Sequence, residues 1–147
     1  MDKQKEGLIK ALNKALSLEH AARIQYLAHA EMINGVYSEK VIERLKEIAS
    51  DEEKHEAKFR TLIGDYLGGE PTMELAPTHR AEDLPGILRI NLKNEKEAID
   101  LYKNIYKNLM ENKDLLPYEL ETLEHELRHI IIDEQEHAVE LARLMDK

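Results

Sequence analysis

Two short segments of the chain carry side chains able to do chemistry, DEEKH at residues 51–55 and DEQEH at residues 133–137. Each holds a carboxylate and an imidazole three residues apart, Glu52 with His55 and Glu134 with His137. On a helix that spacing is nearly one turn, so both side chains leave the same face. That face is apolar. Leu116, Leu120, Leu123, Leu127, Ile130, Leu141 and Leu144 follow steps of three and four that pass through Glu134 and His137. Val41, Leu45, Ile48, Phe59, Leu62 and Tyr66 bracket Glu52 and His55 in the same way. Charged groups inside a core stripe are costly unless they are paired or coordinated. Glu19 and Glu95 stand in the middle of two further apolar stripes, and none of the four stripes offers a basic partner. Two divalent cations would balance the four carboxylates, with two neutral imidazoles completing the donor set. Oxygen and nitrogen donors without sulfur suit iron or manganese, and zinc less exclusively. Shared carboxylates would hold two such ions about 3.5–4 Å apart.

The elements that must position these residues read as four helices. Residues 3–33 predict the first, with Leu8, Leu12, Ala15, Glu19, Ala22, Tyr26, His29 and Ile33 on its stripe; Asn34 and Gly35 stop it. Ser38 is the expected N-cap of a second helix reaching residue 67, ahead of Gly68 and Gly69. Residues 68–83 contain two prolines and no periodicity. Asp83 caps a third helix, with Pro85 tolerated in its first turn. Leu84, Leu88, Leu92, Glu95, Ile99, Tyr102, Tyr106 and Leu109 form the third stripe, which ends near Asn112. A fourth helix is expected from about Pro117 almost to the end. The midpoint of Glu19 and Glu52 falls in the turn predicted at residues 35–37, and that of Glu95 and Glu134 in the turn predicted at residues 113–115. Each antiparallel hairpin therefore brings its acids to a common height. The connector is long enough either to span the bundle or to loop back. His29 lies ten residues from Glu19, or ~15 Å along a helix, and is expected to be a satisfied buried histidine. His125 and His129, four apart and off the fourth stripe, could bind metal adventitiously, but a solvated face is the expected reading; His20 and His79 carry no signal.

Composition narrows the class. The 147 residues suit one domain, 1–147, and a formal net charge of −9 argues against nucleic acid and anionic membrane surfaces. With no cysteine, disulfides, iron–sulfur clusters and thiol chemistry are excluded. Charges interrupt the apolar pattern of the N-terminal segment, so neither a signal peptide nor a membrane span is expected, and the expected location is cytoplasmic.

One Glu on each of two helices and Glu-x-x-His on each of the other two resembles the ferritin-like di-iron carboxylate superfamily. Glu19 followed by Gln25 and Tyr26, the two DExxH segments, and Glu95 followed by Ala98, Ile99 and Tyr102 are similar to its bacterioferritin and rubrerythrin branch over essentially the whole chain. The resemblance implies an all-α, four-helix bundle of two antiparallel hairpins joined by a long crossover between the second and third helices. It implies two iron ions, with manganese or zinc as alternatives, held by Glu19, Glu52, His55, Glu95, Glu134 and His137. Asp51 and Asp133 would each accept from the ring N–H of the opposite histidine, or remain exposed structural acids. Tyr26 and Tyr102 would hydrogen-bond ligand carboxylates or relay an electron. The implied activity is oxidation of Fe(II) by O2 or hydrogen peroxide, of ferroxidase or peroxidase type, with an electron-donor protein as a further partner and a homo-oligomer, at least a dimer, as the assembly. A storage-cage subunit and a di-manganese catalase-like protein are the alternatives. Full rubrerythrins carry a cysteine-ligated module that residues 1–147, without cysteine, cannot form, and Ala98 stands where their core tends to carry a further acid. Glu53 occupies the position of the haem-ligating Met of bacterioferritins, so no haem is expected.

Overall fold

A computed structural model of the chain describes residues 2–35 and 38–145. Four long helices account for most of these residues: α1 (Lys3–Met32), α2 (Glu39–Thr61), α3 (Leu84–Glu111) and α4 (Leu120–Met145). Their ends follow local chemistry. The Asp2 carboxylate accepts from the Lys5 amide at 2.9 Å, and Asp83 accepts from the Gly86 amide at 2.8 Å with Pro85 in the first turn. Ser38 precedes α2 but does not cap it through its side chain; its hydroxyl donates instead to the Asn34 carbonyl at 2.7 Å, tying down the end of the preceding turn. Val36 and Tyr37, within the turn expected there, lie outside the described residues.

Two other boundaries differ from the sequence expectation. The second helix reaches Tyr66 only by widening into a π-turn over Leu62–Tyr66, which leaves Tyr66 exposed rather than on the stripe. Gly68 then takes a left-handed φ of 69°, and Gly69 passes so close to α1 that a Cβ there would meet Ile9 Cγ2 at 2.8 Å. The fourth helix starts at Leu120, not Pro117. Proline disfavours helical backbone in the residue before it, and Leu116 is non-helical (φ −128°, ψ 65°), following a 3-10 turn at Lys113–Leu115. Its side chain is buried at the end of the bundle.

The helices pack as two hairpins, α1 on α2 and α3 on α4, with α1 meeting α3 and α2 meeting α4 across them. The pairings all run in opposite senses. Lys58 pairs with Glu126 at 2.9 Å while Arg44 pairs with Glu140, so α2 and α4 are antiparallel neighbours. The connector does span the bundle, along α1. Asn13 donates to the Glu70 carbonyl (3.0 Å) and accepts from the Thr72 amide (2.8 Å), the Ala76 amide bonds the Ser17 carbonyl (3.0 Å), and Gln25 accepts from the His79 amide (2.7 Å). Two apolar clusters fill the bundle. One centres on Leu12, Leu16, Phe59, Leu62, Tyr102 and Leu127, the other on Tyr26, Leu45, Ile48, Leu88 and Leu141. The acidic level lies between them. No helix among the described residues is long and apolar enough to cross a membrane.

Candidate metal centre

Helical spacing brings Glu52 and His55 from α2, Glu134 and His137 from α4, Glu19 from α1 and Glu95 from α3 to one level, all buried. They form two overlapping groups whose donor atoms lie within 4.8 Å of one another: Glu19, Glu52, His55 and Glu134, and Glu52, Glu95, Glu134 and His137. Glu52 and Glu134 belong to both. His55 Nδ1 is 3.3 Å from a Glu19 oxygen and 3.1 Å from a Glu134 oxygen; His137 Nδ1 is 3.5 Å from both Glu95 and Glu134 oxygens. The two rings are 6.3 Å apart between centroids.

The surrounding bonds repeat with two-fold regularity. His55 Nε2 donates to Asp133 at 2.8 Å and His137 Nε2 to Asp51 at 2.9 Å, each bond running between α2 and α4. A proton held on Nε2 leaves Nδ1 as the lone-pair atom facing inward. Tyr26 donates to Glu95 at 2.7 Å and Tyr102 to Glu19 at 2.9 Å, each bond running between α1 and α3. Phe59 and Tyr102 pack their rings in a T-shaped arrangement, with centroids 5.5 Å apart.

What these bonds leave over is informative. Glu19 Oε2, Glu52 Oε1, His55 Nδ1, Glu95 Oε2, Glu134 Oε1 and His137 Nδ1 are buried without a hydrogen-bond partner. Buried polar atoms are nearly always satisfied, so six orphans converging on one level form a donor set suited to cations. The residues therefore fit a pair of divalent ions. Electrostatics point the same way. Burial pushes the carboxyls of Glu19, Glu52 and Glu95 up, and the neighbouring Glu134 charge adds to the push. Burial would also raise Glu134, but His137 and His55 outweigh it and hold that carboxyl well below its usual range. Burial opposes charge on His137, yet the Glu134 and Glu95 carboxylates pull it up to about 11; His55 is raised in the same way, above all by Asp133. Where protons are the only cations available, the cluster gathers them.

A cavity of about 220 Å³ opens on the centre between α1 and α3. Glu19 and Glu95 lie on its wall, small residues including Ala22 and Ala98 shape it, and Ala76, Pro77 and His79 of the connector roof it. Sequence reasoning missed what holds that roof. His20 Nδ1 bonds the Glu74 carbonyl at 2.8 Å, although its sequence position carried no signal. Gln25 Nε2 donates to both Asn91 and Asn94 at 2.8 Å, and Asn91 donates to His29 Nδ1 at 2.9 Å. His29 is thus a satisfied buried histidine, its Nε2 donating to the His79 carbonyl at 2.9 Å. His125 and His129 are exposed on α4.

Comparison with known proteins gives a consistent result. The family profile described as "Ferritin-like domain" matches residues 9–147. A bacterial ferritin of Neisseria meningitidis serogroup B is 30% identical over 116 residues, covering 78% of this chain and 74% of the relative. Among solved structures, a ferritin-like, diiron-carboxylate protein from Bacillus anthracis str. Ames superposes with a TM-score of 0.90 at 28% identity, covering 99% of both chains. The bacterioferritin of Desulfovibrio desulfuricans, solved with its diiron site in different catalytic states, superposes with a TM-score of 0.86 at 26% identity, over 97% of this chain and 80% of that one.

Proposed function

The chain belongs to the ferritin-like domain family, and from that premise we propose that it binds two iron ions and supports oxidation of Fe(II) by O2 or hydrogen peroxide. The observation that carries this reading is the pair of overlapping donor groups sharing Glu52 and Glu134, with six inward atoms left unpartnered. Glu19, Glu52 and Glu134 with His55 would hold one ion; Glu95, Glu52 and Glu134 with His137 would hold the other. Iron held there would supply two electrons per pair of Fe(II) ions, enough with two protons to reduce hydrogen peroxide to two waters or O2 to hydrogen peroxide.

The chain's own residues do the rest. Asp133 and Asp51 fix the tautomer of each imidazole by accepting from Nε2. Tyr102 and Tyr26 each donate to one oxygen of a terminal carboxylate, leaving the other, Glu19 Oε2 or Glu95 Oε2, free to bind. Burial raises both phenols well above their ordinary range, so each keeps its proton at the carboxylate throughout the neutral pH range. Apolar clusters flank the centre on either side, and the cavity between α1 and α3 reaches its carboxylates.

Anaerobic Fe(II) titration should saturate at two ions per chain, and mixing with either oxidant should produce a ferric absorption within the first turnover. Glu52→Ala and Glu134→Ala should remove both signals. Binding without a defined stoichiometry, or unaltered oxidation in these variants, would overturn the reading. Relatives described as bacterial ferritin and bacterioferritin support a second one, a subunit of an iron-storage assembly. Sedimentation analysis separates the two by mass, a multi-subunit shell with a mineral core against a dimer.

A further inference from the structure

The imidazoles of His125 and His129 take no part in the centre described above. They lie one turn apart on the solvent side of α4, both exposed, with ring centroids 4.3 Å apart and planes tilted by 44°. A four-residue step places two side chains on one helical face, and paired histidines at that step are the ligand geometry that helical zinc sites use. Two basic residues of this region are already engaged. Arg128, between the two histidines in sequence, donates to Glu124 at 2.7 Å, and Lys58 of α2 is held by Glu126 at 2.9 Å. One turn beyond His129 the same row continues with Asp133, whose side chain is 45% exposed and bonds His55 through Oδ2 alone. The chain's net charge of −9 favours cations over the whole surface.

We propose that His125 and His129 form a separate surface site for a divalent transition cation of the zinc, copper or nickel class. Each ring supplies one nitrogen and water completes the coordination. The terminal ring torsion of histidine is broad, so exposed rings already side by side can turn a nitrogen each toward a shared ion. Imidazole donors set this site apart from the buried centre, where carboxylates dominate: it selects against magnesium and calcium and takes borderline metals.

Equilibrium Zn(II) binding to the full chain, followed by competition with a chromophoric chelator, tests the proposal. The native protein should bind one more Zn(II) per chain than the His125→Ala/His129→Ala variant. Each single substitution should weaken that extra site roughly tenfold or more, since even residues that merely orient a metal ligand cost that much. Identical counts and affinities in native and double-variant protein would overturn the proposal. Failure of the buried centre to bind metal would lower both counts equally and leave the difference of one intact, so the two claims fail separately. Crystals soaked in zinc give an independent measurement: anomalous density between the two rings is expected, and its absence there would overturn the site.

Discussion

At the scale of single residues, the balance between protons and metal ions is the property to test. Glu19, Glu52 and Glu95 are raised from 4.5 in the folded chain, and His55 and His137 are raised from 6.5. Between those starting values and the raised ones, the folded state holds more protons than the unfolded state. Its stability therefore falls as pH rises. Glu134 is lowered and works in the opposite direction, but only below 4.5. Metal-free protein should lose thermal stability steadily from about pH 5 to pH 9, whereas protein loaded with Zn(II) should gain stability from about pH 5 to about pH 7 and level off above, because the unfolded imidazoles take up protons there and the coordinated ones do not. Differential scanning calorimetry of both forms checks this. Tyr102→Phe removes the donor to Glu19 without altering packing volume, so the fold should persist while metal affinity drops by about 10–100-fold. The six inward residues were legible in the sequence because each acid or imidazole interrupts an apolar stripe. Asp51 and Asp133 were less so, because they sit off the stripe and gain meaning only once α2 and α4 are known to be antiparallel neighbours.

At the scale of elements, periodicity located all four helices but not the details where backbone chemistry intervenes. The π-turn at Leu62–Tyr66 and the delayed start of α4 after Pro117 leave no periodic trace. The connector was legible only as a stretch without pattern; Asn13, His20, Gln25 and His29 hold it, and side chains that grip irregular backbone follow no spacing rule. Its start depends on Gly69 passing Ile9. Gly69→Ala should destabilise the protein by about 1–3 kcal/mol, read from a denaturant midpoint, because Ile9 must shift to admit the Cβ. The cavity beneath the connector makes a different prediction. Ala98→Leu projects bulk toward Glu19 and Glu95, so oxidation after rapid mixing should slow severalfold while the number of Fe(II) ions bound at equilibrium stays at two. Unchanged kinetics would show that reactants reach the centre by another path.

At the scale of the whole molecule, metal ions bound as proposed would be thermodynamically linked to the fold. Ions that bind only the folded chain stabilise it by about 2.7 kcal/mol at a hundredfold excess over Kd. For a chain of this size that corresponds to roughly 5–11 °C in Tm, so removal of metal by a chelator should lower the melting temperature by that amount. An unchanged Tm would mean that the buried carboxylates are neutralised by protons alone. The two-fold pattern of bonds has a consequence beyond stability. Each donor group takes residues from both hairpins, Tyr26 and Tyr102 reach across in opposite directions, and so do the two aspartates. Neither half of the chain owns a complete ligand shell. Severed within residues 68–83, the fragments would be inert apart and competent only when reunited, with the dissolved ions serving as the rivets that make one machine of two pieces.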